Sequence, residues 1–171
     1  MRKILIVIDM QNDFIDGVLG TAEACAIVPA VKKIIDEFDG DIYFTRDTHG
    51  ADYLFTQEGR KLPVPHCVKG SIGWEISPVL DTSRAVAIID KPTFGYIAVA
   101  DEISKKGSDI ADITLVGLCT DICVISNAMI MKAAFPEAEV TVVSSACAGV
   151  TPKSHENALE AMKTCQIRVV E

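Results

Sequence analysis

A three-layer α/β/α open sheet of mostly parallel strands is the fold class predicted by this 171-residue sequence. Two observations predict it. Six short, β-branched, nearly continuous apolar runs recur along the chain, as strands covered on both faces do. Between them lie segments with apolar residues at helical spacing, and strand alternating with helix is the pattern of a parallel sheet with right-handed crossovers. The length suits a single domain over residues 1–171, and 49% hydrophobic residues suffice for a core without staples.

The strands are expected at Lys3 to Asp9 (KILIVID), Asp41 to Asp47 (DIYFTRD), Arg84 to Asp90 (RAVAIID), Ile113 to Leu118 (ITLVGL), Val140 to Ser144 (VTVVS) and Gln166 to Val170 (QIRVV). The first helix is expected over Glu23 to Phe38, with Ile27, Val31, Ile34, Ile35 and Phe38 on one face and Pro29 near enough to its start to be tolerated. Tyr96 to Lys106 and Asp121 to Ala134 are further helices. The last has Thr151 as N-cap and Pro152 at the first helical position, with Ala158, Leu159, Met162 and Cys165 turned to the core. Thr48 to Pro78 lacks strong periodicity and is rich in Gly, Pro and polar residues. A loop of that length in a compact domain is usually functional.

Sixteen basic against twenty-four acidic residues leave a net charge of −8, which disfavours a nucleic-acid or anionic-membrane partner. The apolar run Ile4 to Ile8 is too short for a signal-peptide core or a membrane span, so a cytoplasmic protein is expected. Six irregularly spaced cysteines are expected as free thiols there.

Ligands of open α/β sheets sit beyond the carboxyl ends of the strands. Those ends carry Asp9, Asp47 with His49 two residues on, Lys91 and, past Gly117, Cys123 in the first turn of a helix. A helix N-terminus favours thiolate over thiol, which makes Cys123 a candidate nucleophile. Singly, each has a plainer reading: a packed cysteine, carboxylates that cap turns, a solvated lysine. Together they suit covalent amide hydrolysis. Asp9 takes the thiol proton, Lys91 holds the charges, the thiolate attacks the carbonyl, and the backbone N–H groups of Cys119 and Cys123 form an oxyanion hole.

Asp47, His49 and His66 offer carboxylate and imidazole ligands suited to zinc, iron or manganese, although scattered His and Asp in a polar loop are more often surface residues. His155, early in the last helix, reads as a cap or a second-layer hydrogen bonder.

VIDMQNDF (Val7 to Phe14), TRDTH (Thr45 to His49), PHCVKGSIG (Pro65 to Gly73), KPTFG (Lys91 to Gly95) and GLCTDICV (Gly117 to Val124) together resemble the isochorismatase-like cysteine hydrolases, in their nicotinamidase branch. The resemblance spans nearly the whole chain. It implies a triad of Asp9, Lys91 and Cys123, a cis peptide between Leu118 and Cys119, and Phe14 in the substrate pocket. It also implies one divalent ion, zinc in the first instance, on Asp47, His49 and His66. Phe55 stands where many members have another histidine, and Glu58 resembles the acidic alternative. Pro63 replaces a tryptophan common before the third ligand, and Trp74 does not match that position. The expected reaction is hydrolysis of nicotinamide to nicotinate and ammonia, in pyridine nucleotide salvage. Another small amide, or a non-catalytic metal or small-molecule binder on the same fold, are the alternatives. The expected partners are a small-molecule amide and further copies of the chain in a homo-oligomer.

Overall fold

The computed structural model describes residues 1–107 and 109–171. The strands are β1 (Arg2–Ile8), β2 (Asp41–Asp47), β3 (Ala85–Lys91), β4 (Ile110–Leu118), β5 (Glu139–Ala148) and β6 (Arg168–Val170). They form one sheet in the order β3-β2-β1-β4-β5-β6, every pairing parallel. The helices are α1 (Asn12–Ile15), α2 (Ala22–Glu37), α3 (Gln57–Lys61), α4 (Ala98–Ser104), α5 (Ile125–Ala134) and α6 (Pro152–Thr164). Among the described residues, no helix is long and apolar enough to cross a membrane.

The continuous run Ile4–Ile8 is buried throughout because β1 lies at the middle of the sheet with a layer on each face. Alternate side chains point to opposite faces. Ile4, Ile6 and Ile8 therefore join α4, α5 and α6 through Val99, Ile103, Ala128, Met131 and Met162, while Leu5 and Val7 meet Ala24, Ile27, Val31 and Ile35 of α2. Strand order reverses between β1 and β4, which opens a crevice at their carboxyl ends.

Several expectations are corrected. Coverage on both faces fails at the edge strand β3, where Val86 and Ile88 are exposed. β5 continues past Ser144 to Ala148, because the register shifts after Leu115 and Cys147 and Ala148 pair with Gly117 and Leu118. The polar pair Ser144–Ser145 hides that continuation in the sequence. Pro29 is not near the start of α2 but eight residues in; it has no N–H for the Cys25 carbonyl, and both residues lie on the exposed face while the buried stripe keeps the helix going. Cys165 caps the end of α6 and is exposed, so the core-facing stripe stops at Met162. The Thr151 cap is as expected, its hydroxyl accepting from the Ser154 N–H at 3.0 Å.

Gly117, the eighth residue of β4, fixes the crevice. Its φ is +117°, and a Cβ there would stand 2.1 Å from the Ile8 carbonyl oxygen. Only glycine lets the two strand ends that precede Asp9 and Cys119 approach so closely.

Candidate active site

Four strand ends deliver the site. Asp9 follows β1, Asp47 ends β2, Lys91 ends β3, and Cys123 lies in the turn after β4. Asp9 and Lys91 are fully buried, and Cys123 is 5% exposed. That burial removes the plainer readings of solvated charges and turn caps, because charged groups are buried only when paired.

Lys91 Nζ lies 2.7 Å from Asp9 Oδ2, 3.3 Å from Cys123 Sγ, 3.2 Å from the Thr93 carbonyl and 3.5 Å from Asp47 Oδ1. It thus joins Asp9, the Cys123 thiol and Asp47. Thr45 Oγ1 donates to Asp9 Oδ1 at 2.6 Å and accepts from the Asp9 N–H at 3.2 Å. Oδ2 pairs with Lys91 by charge and makes no other contact of hydrogen-bond geometry among the described residues. One carboxylate oxygen is therefore anchored, and the other is open to a proton.

The thiol does not follow the helix-terminus expectation. Thr120–Val124 forms a single wide π-helical turn ahead of α5, entered through the cis peptide Leu118–Cys119, and Cys123 sits within it. Burial, then the Asp9 charge, push its pKa up, and Lys91 only partly opposes them. Cys123 rests as a thiol. Burial also raises Asp9 against the pull of Lys91, whereas burial alone would lower Lys91, and the carboxylates, Asp9 foremost and Asp47 with it, overcome that and keep it an ammonium. Burial and Asp121 push Cys119, which opens the same turn, up to about 12.

The loop after β2 brings the second cluster together. It contains a 3₁₀ turn over Tyr53–Phe55 and then α3, capped by Thr56, whose hydroxyl accepts from the Gly59 N–H at 3.0 Å. It then returns beside its own start, with the His49 N–H donating to the Cys67 carbonyl at 3.0 Å and the Lys69 N–H to the His49 carbonyl at 2.9 Å. This places His66 against His49. His49 Nε2 is 2.9 Å from Asp47 Oδ2 and 3.6 Å from Glu58 Oε1; His66 Nε2 is 3.5 Å and 3.9 Å from the same atoms. All four donor atoms lie within 4.8 Å of one another.

These four residues fit a divalent cation. Two carboxylates face two imidazoles. His66 Nδ1 is 2.8 Å from the Val64 carbonyl, which can only accept, so Nδ1 holds a proton and turns Nε2 toward the cluster. The field also draws in positive charge. Burial works against ionised Asp47, yet hydrogen bonds from His49 and His66 and the Lys91 charge hold it well below the usual carboxylate range. Burial lowers His66, but Asp47 and the Val64 carbonyl outweigh it and raise the net value. Glu58 is raised by burial, with His49 opposing.

Cys123 and the four donors Asp47, His49, Glu58 and His66 open into one cavity of about 750 Å³, lined also by Phe14, Phe94, Leu118, Cys119, Ile122 and Val150. Phe14 packs its ring 5.5 Å from that of His66, and Tyr53 stands edge-on 4.6 Å from His49 and 5.0 Å from His66. Phe55 points to solvent. Trp74 lies outside the cavity, with the Arg46 guanidinium 3.6 Å over its ring and its Nε1–H donated to Thr48 Oγ1 at 2.9 Å.

Sequence reasoning missed several supporting residues. Thr45 precedes Asp47 by two, the spacing that places both on one face of β2, and that period was the available signal. Buried Asn127, one turn after Cys123, donates to the Cys123 carbonyl at 2.8 Å and to the Phe94 carbonyl at 2.9 Å. Asp13 Oδ2 accepts from the Cys67 N–H at 2.7 Å, and Gly73 leaves room for that carboxylate, since a Cβ there would come within 2.2 Å of it. His155 is a second-layer hydrogen bonder, with Nδ1 2.7 Å from the hydroxyl of buried Thr120.

A family model for the isochorismatase domain matches residues 3–171. The chain belongs to the isochorismatase family. Within that family it is 28% identical to a nicotinamidase/pyrazinamidase of Mycobacterium tuberculosis, over 98% of each chain. The crystal structure of a pyrazinamidase of Pyrococcus horikoshii in complex with zinc superposes with a TM-score of 0.82 at 28% identity, covering 100% of this chain and 99% of that one. A nicotinamidase/pyrazinamidase of Bacillus subtilis superposes with a TM-score of 0.82 at 27% identity over 100% of both chains.

Proposed function

We propose that the chain is a cysteine amidohydrolase that converts nicotinamide to nicotinate and ammonia through a thioester on Cys123. The observation that carries this is the placing of Lys91 Nζ between Asp9 Oδ2 and Cys123 Sγ, at 2.7 and 3.3 Å, where the cavity also meets four cation donors. Nicotinamidase and pyrazinamidase relatives matched over nearly the whole chain support the same reading.

In this mechanism Asp9 Oδ2, the oxygen without a hydrogen bond, takes the Cys123 proton as sulfur attacks the amide carbon. Lys91 keeps Asp9 ionised beforehand and offsets the growing negative charge on sulfur. The backbone N–H groups of Cys119 and Cys123 receive the oxyanion. Asp9 returns its proton to the departing nitrogen, the C–N bond breaks, and ammonia leaves. Water then attacks the thioester, Asp9 accepts its proton, and the acid departs as the thiol is restored. Phe14 contributes an apolar wall to the pocket. A divalent ion, zinc being suited to two imidazoles and two carboxylates, would be held by Asp47, His49, His66 and Glu58 and would supply a Lewis-acid anchor for a ring nitrogen. We place this activity in the cytoplasm, in pyridine nucleotide salvage, with the chain as a homo-oligomer.

Substrate choice tests the reading. Nicotinamide and pyrazinamide carry a ring nitrogen beyond the carboxamide, and benzamide does not. With equal zinc loading, kcat/KM measured by ammonia release should fall at least about 100-fold from nicotinamide to benzamide, because a polar anchor left unmatched rejects an analogue strongly. Equal values would show that the ring nitrogen is not read, and no turnover of nicotinamide would overturn the substrate assignment.

A further inference from the structure

Gln11 is fully buried, two residues after Asp9, and every hydrogen-bonding direction of its amide that the structure shows is aimed at the backbone around the donor cluster. Its Oε1 accepts from the Asp47 N–H at 2.7 Å; its Nε2 donates to the Asp47 carbonyl at 2.9 Å and to the Trp74 carbonyl at 2.8 Å. Asp47 is the last residue of β2, and just beyond it the chain leaves the sheet, the Thr48 N–H donating to the Lys91 carbonyl at 3.0 Å before His49 pairs with the returning loop. Two hydrogen bonds to one peptide group on each side of Asp47 fix the direction of its Cα–Cβ bond, and hence of the carboxylate that meets His49, His66 and Lys91. The third ties this grip to the far end of the loop, where the Asn12 N–H donates to the Glu75 carbonyl at 3.0 Å and the Ser77 N–H to the Met10 carbonyl at 2.9 Å.

We infer that Gln11 is a positioning residue that presets Asp47 for a divalent cation, acting through the Asp47 backbone without itself touching cation or substrate. The inference rests on the proposal that Asp47, His49, His66 and Glu58 hold such an ion. Outer partners that orient a ligand typically change metal affinity by about 10–100-fold. Gln11→Ala removes all three hydrogen bonds. Gln11→Glu keeps the shape and the acceptor but loses the donor to two carbonyls, so it reports on the grip even if the alanine variant folds poorly.

The experiment measures zinc affinity by competition with a chromophoric chelator, alongside the rate of iodoacetamide labelling at Cys123 and thermal unfolding, all on full-length protein. The expected result is a zinc affinity about 10–100-fold weaker in both variants, with Cys123 labelling within about twofold of wild type. A general structural role would slow or expose Cys123 labelling in step with lost affinity, and that outcome overturns the inference. So does wild-type zinc affinity in both variants. Failure of the wild-type protein itself to bind zinc would instead overturn the metal proposal, which keeps the two failures distinct.

Discussion

Replacing Cys123 by alanine should lower nicotinamide turnover by at least about 10,000-fold while leaving the thermal unfolding temperature within a few degrees of wild type, because a covalent nucleophile cannot be bypassed cheaply. The fold should survive. Cys123 fills a small volume on the cavity wall, and its turn is held by other groups: the Val124 N–H donates to the Cys119 carbonyl at 3.0 Å, and Asn127 holds the Cys123 carbonyl at 2.8 Å. Cys165→Ala, at an exposed position outside the site, is the control and should retain full activity. Steady-state ammonia release with circular dichroism checks both. A Cys123→Ala protein with more than about one hundredth of wild-type activity would remove the nucleophile assignment.

The second large effect is expected at Lys91, whose ammonium is enclosed by Asp9, Cys123 and Asp47. Lys91→Met keeps most of the volume and removes the charge, leaving a buried carboxylate without its counter-ion. Breaking one side of a buried pair typically costs about 3–5 kcal/mol. The pH dependence follows by linkage. Burial already raises Asp9 above the ordinary carboxylate value, and loss of Lys91 removes the main opposing influence. The folded variant then holds a proton that the unfolded chain releases, so its stability falls as pH rises through that interval. The gap between wild type and Lys91→Met should therefore widen as pH rises above the ordinary carboxylate range in denaturant titrations. Turnover should drop at least about 1,000-fold, since a protonated Asp9 cannot accept the thiol proton. A gap that narrows with rising pH would show that Lys91 does not hold Asp9 ionised.

Much of this molecule can be read from its sequence because the central strands are covered on both sides. KILIVID and ITLVGL have no amphipathic alternation to mislead, and punctuation by Asp9 and Gly117 marks where each strand gives way to the site. Asp9, Lys91, Cys123, Asp47 and His49, which the structure brings together, were legible for the same reason: they stand at or soon after strand ends. His66 was a weak candidate by its chemistry and Glu58 was legible only through resemblance to a family, because an aperiodic loop does not announce where it folds back. Gln11 and Asp13 were missed for a different cause. Their side chains act on backbone groups far away in sequence, 36 residues in the case of Gln11 and Asp47, and no local pattern carries such a partnership. The sequence shows a helix start at Cys123 but not its burial, and burial, followed by the Asp9 charge, raises its pKa. Cys165 was misplaced because it sits at a helix end whose limit the apolar stripe defines only to within a turn, and Pro29 because it stands mid-helix, where the buried stripe of Ala24, Ile27, Val31 and Ile35 carries α2 past it.

The central claim is that the acyl group passes through sulfur on Cys123. Its most direct test is rapid acid quenching of the protein during turnover of nicotinamide, followed by intact mass and peptide mapping. The account predicts a transient species heavier by one nicotinoyl group less one hydrogen, located on the peptide that contains Cys123 and absent from Cys123→Ala. An acyl group found on any other residue, or undiminished ammonia release by the Cys123→Ala protein, would contradict it.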